Sequence, residues 1–283
     1  NRPVNGPAET AMLRTRVMTA LVILPVTLAV VFLAPPLVFK GLIALLFMAG
    51  CNEFARISGL SARTGGLLMV LQALIFAALF YSWADVQAHA ITLLTIACAA
   101  WLLLFIRLPL YRAGAEPDRT FRVLGFISAL IALTTCWFAL SWLHEQEKGA
   151  FTVFLLLLII WASDTGAYFS GIRFGRHKLA RVISPKKTWE GVYGGIILAL
   201  IAAWLWSGPV AGLGFDALPL AAITVITTMT SIAGDLFISL HKRTVKLSDA
   251  GNLFPGHGGV LDRYDSLLTG APFFALAFGM LAQ

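Results

Sequence analysis

Long apolar stretches separated by short polar punctuation dominate the chain, at residues 17–34, 37–54, 67–84, 89–106, 123–143, 151–172, 192–207, 218–240 and 266–282. A helix needs about 20 apolar residues to cross a hydrocarbon core of about 30 Å, and most of these runs approach that length. The second, seventh and ninth are shorter. Because the runs are continuously apolar and do not alternate with period two, they read as helices and not as barrel strands. The pattern predicts an all-α polytopic membrane protein of about nine transmembrane helices. With no internal repeat or low-complexity linker, residues 12–283 read as a single integral membrane domain. Residues 1–11 are polar and contain proline, so they read as an added leader with Met12 as the natural start. A cleaved signal peptide is not expected, because another span follows at once and no small-residue cleavage site is present.

The punctuation carries an orientation. Nine crossings make the loops alternate sides, and 19 of the 21 Lys and Arg residues then fall on one side, leaving only Lys40 and Lys148 on the other. Basic residues collect on the cytoplasmic side, so the amino terminus is expected in the cytoplasm and the carboxyl terminus outside. A missed or false segment would invert every later loop and destroy the asymmetry.

Composition agrees. Of the 283 residues 59% are hydrophobic and 12% charged, with a mean hydropathy of +0.84. Soluble domains carry about 25% charged residues, so soluble globular and disordered classes are both excluded. A net charge of +7 could suggest nucleic acid. The one-sided placement accounts for it as topology, and no nucleic-acid partner is expected. Cys51, Cys98 and Cys136 lie inside apolar runs without metal or redox spacing, so they read as packing residues.

Two acidic residues stand out within apolar runs: Asp164 in Trp161-Ala162-Ser163-Asp164-Thr165-Gly166, and Asp235 in Ser231-Ile232-Ala233-Gly234-Asp235. A carboxylate inside the membrane costs about 3 kcal/mol even on lenient scales. Each should therefore face protein, water or a cation, either as a helix-to-helix hydrogen-bonding residue or as part of a site. The loop that follows Asp235 supplies Lys242, Arg243, Asp249, Asp262, Arg263 and Asp265 around the turn Pro255-Gly256-His257-Gly258-Gly259. Asp262 and Asp265 are three apart and share a helix face, and Asp235 can reach the same level. Clustered carboxylate oxygens suit Mg²⁺ or a similar hard cation such as Mn²⁺. Gly256, Gly258 and Gly259 free the backbone to turn N–H groups toward phosphate oxygens. His257 is open to three readings: phosphate contact, proton transfer or capping of the turn. In the earlier loop Ser184-Pro185 opens a turn, and Lys186 and Lys187 offer two further cations before Thr188-Trp189-Glu190-Gly191. By topology both loops lie on one side. Fixed cations, carboxylates and a glycine turn at a membrane surface suit a metal-bound polyphosphate.

From about residue 161 to 266 the chain resembles the phosphatidate cytidylyltransferase family, also called CDP-diacylglycerol synthases. The resemblance is carried by Ser239, Lys242-Arg243, Asp249, the run from Pro255 to Asp265, and the segment Ser184 to Gly191. It implies that CTP and phosphatidic acid become CDP-diacylglycerol and pyrophosphate, in the service of phospholipid biosynthesis. It further implies a divalent ion on Asp235, Asp262 and Asp265, with Asp164 as a further candidate and potassium as a second cation. Lys186, Lys187, Lys242, Arg243 and Arg263 would hold phosphates, with Ser184, Asp249, His257, Gly258 and Gly259 in support. A homodimer is a family-level expectation. The compact chain favours a bacterial inner membrane, with the site facing the cytoplasm and the acyl chains left among membrane lipids. The chain departs from the family pattern at Ser248, where lysine is usual; Lys246 is the nearest replacement. Two other readings compete. A CTP-dependent polyprenol or phytol kinase would move the γ-phosphoryl group and release CDP. A transporter or channel would use Asp164 and Asp235 as intramembrane ion ligands and have no use for CTP.

Overall fold

The computed structural model describes residues 7–112, 114, 116–208, 216–256 and 258–281, with side chains on the first helix described from Met18 onward, Ala20 excepted. Each of the nine apolar runs falls on a helix. In order these are α1 (Pro7–Leu33), α2 (Pro36–Ile57), α3 (Ala62–Tyr81), the short α4 (Trp83–Ala88), α5 (Ala90–Phe105), the single turn α6 (Arg107–Leu110), α7 (Arg119–Glu145), α8 (Gly149–Phe174), α9 (Trp189–Leu205), α10 (Ala217–Thr244) and α11 (Leu261–Leu281). Among the described residues seven helices are long and apolar enough to cross a membrane, while Leu21–Leu33 and Trp189–Leu205 are shorter apolar segments. The second and ninth runs are thus longer as helices than their hydropathy suggests. α2 continues through Arg56, and α11 takes Asp262, Arg263 and Asp265 into its first turns. Polar residues end an apolar run but do not end a helix whose backbone bonds are already made.

Local chemistry explains where the helices begin. Pro36 opens α2, where a missing N–H costs nothing. Ser61, Asp118 and Thr188 cap α3, α7 and α9 by accepting from Thr64, Phe121 and Gly191 N–H. α11 and α7 lie at the centre of the bundle, with Trp101, Trp137, Phe237 and Phe274 packed fully buried among them. The three cysteines are free and buried, as packing residues should be. α8 and α9 run in close contact because Gly166 and Gly194 let their backbones meet. A Cβ on Gly166 would lie 2.5 Å from the Gly194 carbonyl oxygen.

One short sheet interrupts the helices. β1 (Lys178–Ala180) pairs antiparallel with β2 (Ser184–Thr188), aligning Lys178 with Thr188 and Ala180 with Ser184. The segment Ser184-Pro185-Lys186-Lys187 is therefore a strand, where the sequence suggested that Ser-Pro opens a turn. Pro185 is tolerated because both strands of a two-stranded ribbon are edges.

Candidate active site

Three elements bring the predicted polar residues to one end of the bundle: the hairpin before α9, the last turns of α10, and the first turns of α11. Lys187, projected from β2, pairs with Asp235 of α10 at 2.6 Å. Ser239, one turn along α10, donates to the other oxygen of Asp235 at 3.2 Å. Lys242, two turns beyond Asp235 on the same face, pairs with Asp262 of α11 at 2.8 Å. Asp265 accepts the Ser266 N–H at 2.8 Å and, among the described residues, forms no ion pair with lysine or arginine. It lies within electrostatic reach of Asp235, Lys242 and Lys187. Asp164 on α8 senses the same group of charges, namely Asp235, Lys187 and Arg263. Asp164 is solvent-accessible yet closely surrounded by protein, and the Asp235 and Lys187 side chains are about a quarter exposed, at 27% and 25%. These groups gather in a partly exposed carboxylate recess between otherwise apolar helices.

Asp262 has a different occupation from its neighbours. One oxygen takes Lys242, and the other accepts backbone N–H groups from Ala250 at 2.8 Å, Gly251 at 3.4 Å and Gly259 at 2.8 Å. It is the point to which the loop 249–260 is tied. The glycine turn accordingly serves Asp262: Gly259 N–H points at its carboxylate, and Gly258 adopts φ +81° where a Cβ would collide with it. Phe254 N–H closes the turn on the Gly258 carbonyl at 2.8 Å. His257 lies outside the described residues.

Sequence reading missed the residue that fastens this loop from below. Glu53, near the end of α2, is buried and accepts the Val260 N–H at 3.0 Å and the Leu261 N–H at 2.9 Å, so a carboxylate caps α11 from another helix. Gly251 and Gly259 are required beside it, since a Cβ on either would overlap the Glu53 carboxylate. Arg56, one turn on, donates to the carbonyl oxygens of Ala250 and Asp249. The available signal was an acid three residues before an arginine at the end of a predicted span. It was obscured because Glu53 sits where an apolar run meets its polar border.

The remaining predicted residues are more peripheral. Lys186 and Arg243 are exposed at the rim, and Ser184 starts β2. Asp249 is exposed and accepts from Ser248 Oγ at 2.8 Å. Lys246 takes a left-handed backbone, φ +59°, and reaches Glu116 at 3.4 Å, so it does not occupy the place of a lysine at position 248. Behind the hairpin His177 donates to Glu190, whose carboxyl that bond holds well down, at about 2.

Among the described residues no three His, Cys, Asp or Glu side chains converge into an all-protein metal cage. Mg²⁺ seldom needs one, since it is commonly held by one or two carboxylates together with substrate phosphates. Asp265, with one oxygen on the Ser266 N–H, fits that donor set best. Asp235 and Asp262 have both oxygens bonded, Asp235 by Lys187 and Ser239 and Asp262 by Lys242 and three backbone N–H groups, so either would ligate a cation only by sharing or releasing a partner.

The sequence profile of the Cytidylyltransferase family matches residues 14–281. A phosphatidate cytidylyltransferase of Haemophilus influenzae is 33% identical over 93% of this chain and 98% of its own length. One of Pseudomonas aeruginosa is 37% identical over 93% and 96%, and one of Bacillus subtilis is 38% identical over 66% and 68%. A family match over nearly the whole chain, with the family's polar residues gathered at one end of the bundle, makes this protein a member of the cytidylyltransferase family, a CTP-using nucleotidyltransferase.

Proposed function

We propose that the chain transfers a cytidylyl group from CTP to phosphatidic acid. An oxygen of the lipid phosphate bonds to the α-phosphorus of CTP as the bond to the β-phosphate oxygen breaks, and pyrophosphate leaves. A phosphate monoester has its second pKa near about 6, so the attacking oxygen is already ionised at neutral pH and needs no base. The protein's task is then to hold two polyanions together and neutralise them.

One observation carries this reading: two lysines seated on carboxylates, Lys187 on Asp235 and Lys242 on Asp262, lie within electrostatic reach of Asp265, which has no ion pair of its own among the described residues. Lys187 and Lys242 are fixed cations whose remaining protons can bind phosphoryl oxygens, while Arg243, Lys186 and Arg263 lie nearby for the outer phosphates. Asp235 and Asp265, with Asp164 next to them, would hold Mg²⁺ or Mn²⁺, which supplies charge neutralisation of the triphosphate when bound. Asp262 keeps Lys242 and the loop in position. The reading includes nine crossings, a cytoplasmic amino terminus and a bacterial inner membrane, with this end of the bundle at the inner face, where soluble CTP would meet a lipid headgroup. A homodimer and potassium as a second cation belong to the same reading.

The test is product analysis of purified protein in mixed micelles given CTP, Mg²⁺ and phosphatidic acid, with and without EDTA. Pyrophosphate and a CDP-lipid, both lost on chelation, are expected. Release of CDP would instead mean γ-phosphoryl transfer, and no CTP turnover by folded protein would favour an ion pathway through Asp164 and Asp235.

A further inference from the structure

A cavity of about 610 Å³ lies between α1 and the body of the bundle, and its walls are almost wholly apolar. One wall is α1 from Met18 to Val31, the other is α2 from Phe39 to Phe47, and Val153 and Leu157 of α8 form part of the floor. At one end the groove meets Phe254 and Pro255 of the loop that Asp262 anchors, together with Tyr264, whose neighbour in sequence is Asp265. Thr19 of α1 donates to the Pro255 carbonyl at 2.9 Å, closing that end. At the other end Phe32 packs edge-on against Phe151, with ring centres 5.5 Å apart. Between these two ends Val22 and Val26 stay largely exposed, so the groove opens sideways.

We infer that this groove holds one acyl chain of the lipid substrate, with its headgroup end at the loop 254–255; the inference rests on the cytidylyl-transfer reading above. Three observations commit it to that occupant. From Thr19 to Val31 the groove runs about 18 Å at 1.5 Å per residue, comparable to one leaflet, about half of a 30 Å hydrocarbon core. Its few polar groups are already bonded, Thr19 to the Pro255 carbonyl and Thr27 to Tyr264, so the rest of the wall offers an alkyl chain apolar contact alone. It also leads to the reactive end. Val153, Leu157 and Asp164 are spaced four and seven apart on one face of α8, so the surface that floors the groove continues about 10 Å further to the carboxylate recess. A chain lying in the groove therefore points its phosphate toward Asp164 and the Lys187–Asp235 pair.

The groove predicts a length requirement. Val26→Trp on α1 and Ile43→Trp on α2 each fill it midway, from opposite walls, and neither residue is in the carboxylate recess. For each variant, kcat/KM is measured with dipalmitoyl and with dihexanoyl phosphatidic acid, whose short chains stop before Val26. A fall of about tenfold or more for the long-chain lipid, with the short-chain lipid changed less than about twofold, is expected from blocking an apolar pocket. Equal losses on both lipids, or no loss on either, would overturn the groove as the acyl site. The wild-type reaction with the dipalmitoyl lipid separates the two ideas: if it yields no CDP-lipid, the cytidylyl-transfer reading itself falls, whatever the groove holds.

Discussion

Both ends of the bundle hold a lysine paired with a carboxylate between helices, and their surroundings differ. At the end away from the recess, Lys40 of α2 meets Glu145 of α7 at 2.5 Å, Trp83 N–H donates to the second Glu145 oxygen at 2.6 Å, and the ammonium lies 4.1 Å from the Trp83 ring centre. Trp137 N–H caps the Lys40 carbonyl at 2.9 Å. That cluster closes on itself: one cation, one anion, and aromatic groups filling the rest. At the recess, Lys187–Asp235 and Lys242–Asp262 have Asp265 and Asp164 beside them, part of the group is exposed, and further basic residues stand at the rim. A closed pair fastens helices together. An open set with excess carboxylate leaves donors over for the cation and phosphates of the proposed reaction.

The sharpest break of this contrast is Asp265→Asn. It removes a carboxylate from the open set without cutting an ion pair, and should lower kcat by about 100- to 1000-fold, the scale of deleting one preorganised charge-stabilising group. Pyrophosphate release measures this, and a variant that folds and turns over normally would remove Asp265 from the machinery. Next in size is Glu53→Gln. Glu53 touches no phosphate site in the structure but holds the start of α11, so a misaligned loop should cost about 10- to 100-fold in kcat. KM for CTP and lipid should stay within about twofold, and Glu53→Asp should recover part of the rate. A loss confined to thermal stability would reduce Glu53 to a structural cap. The smallest effect on turnover is expected for Lys40→Met, which strands Glu145. It should cost up to about 3–5 kcal/mol of stability, the scale for leaving a buried charge unpaired, while folded molecules keep their kcat. Loss of turnover per folded molecule would mean that the closed pair is not purely structural.

Much of this was legible in the chain. Every apolar run fell on helix, because hydropathy reports the segments that must lie in lipid or core, and among the described residues seven of the helices are long and apolar enough to cross a membrane. The acids inside those runs, Asp164 and Asp235, do lie at the recess, because an ionised group in an apolar helix persists only where something compensates it. Helix ends were less legible: α11 starts five residues before its apolar run, at Leu261, since a polar face is compatible with a helix packed at the bundle end. The β1–β2 ribbon was invisible, because its strands are too short for an alternation signal. Glu53 was missed because its partners, Val260 and Leu261 N–H, are backbone groups more than two hundred residues away.

The residue pattern alone was enough to establish that this chain is a bundle of apolar membrane helices, and to mark which acids had to be compensated. Those properties follow from the free energy of single residues in water and lipid, which is local to each position. Only the tertiary structure decided how the acids divide their work: Asp262 saturated by Lys242 and three backbone N–H groups, Asp265 left beside Asp235, Glu53 brought under the loop, and an apolar groove running along α1 to meet them. Hydrogen bonds and cavities are pairwise and spatial, and their partners come together only when helices distant in sequence pack.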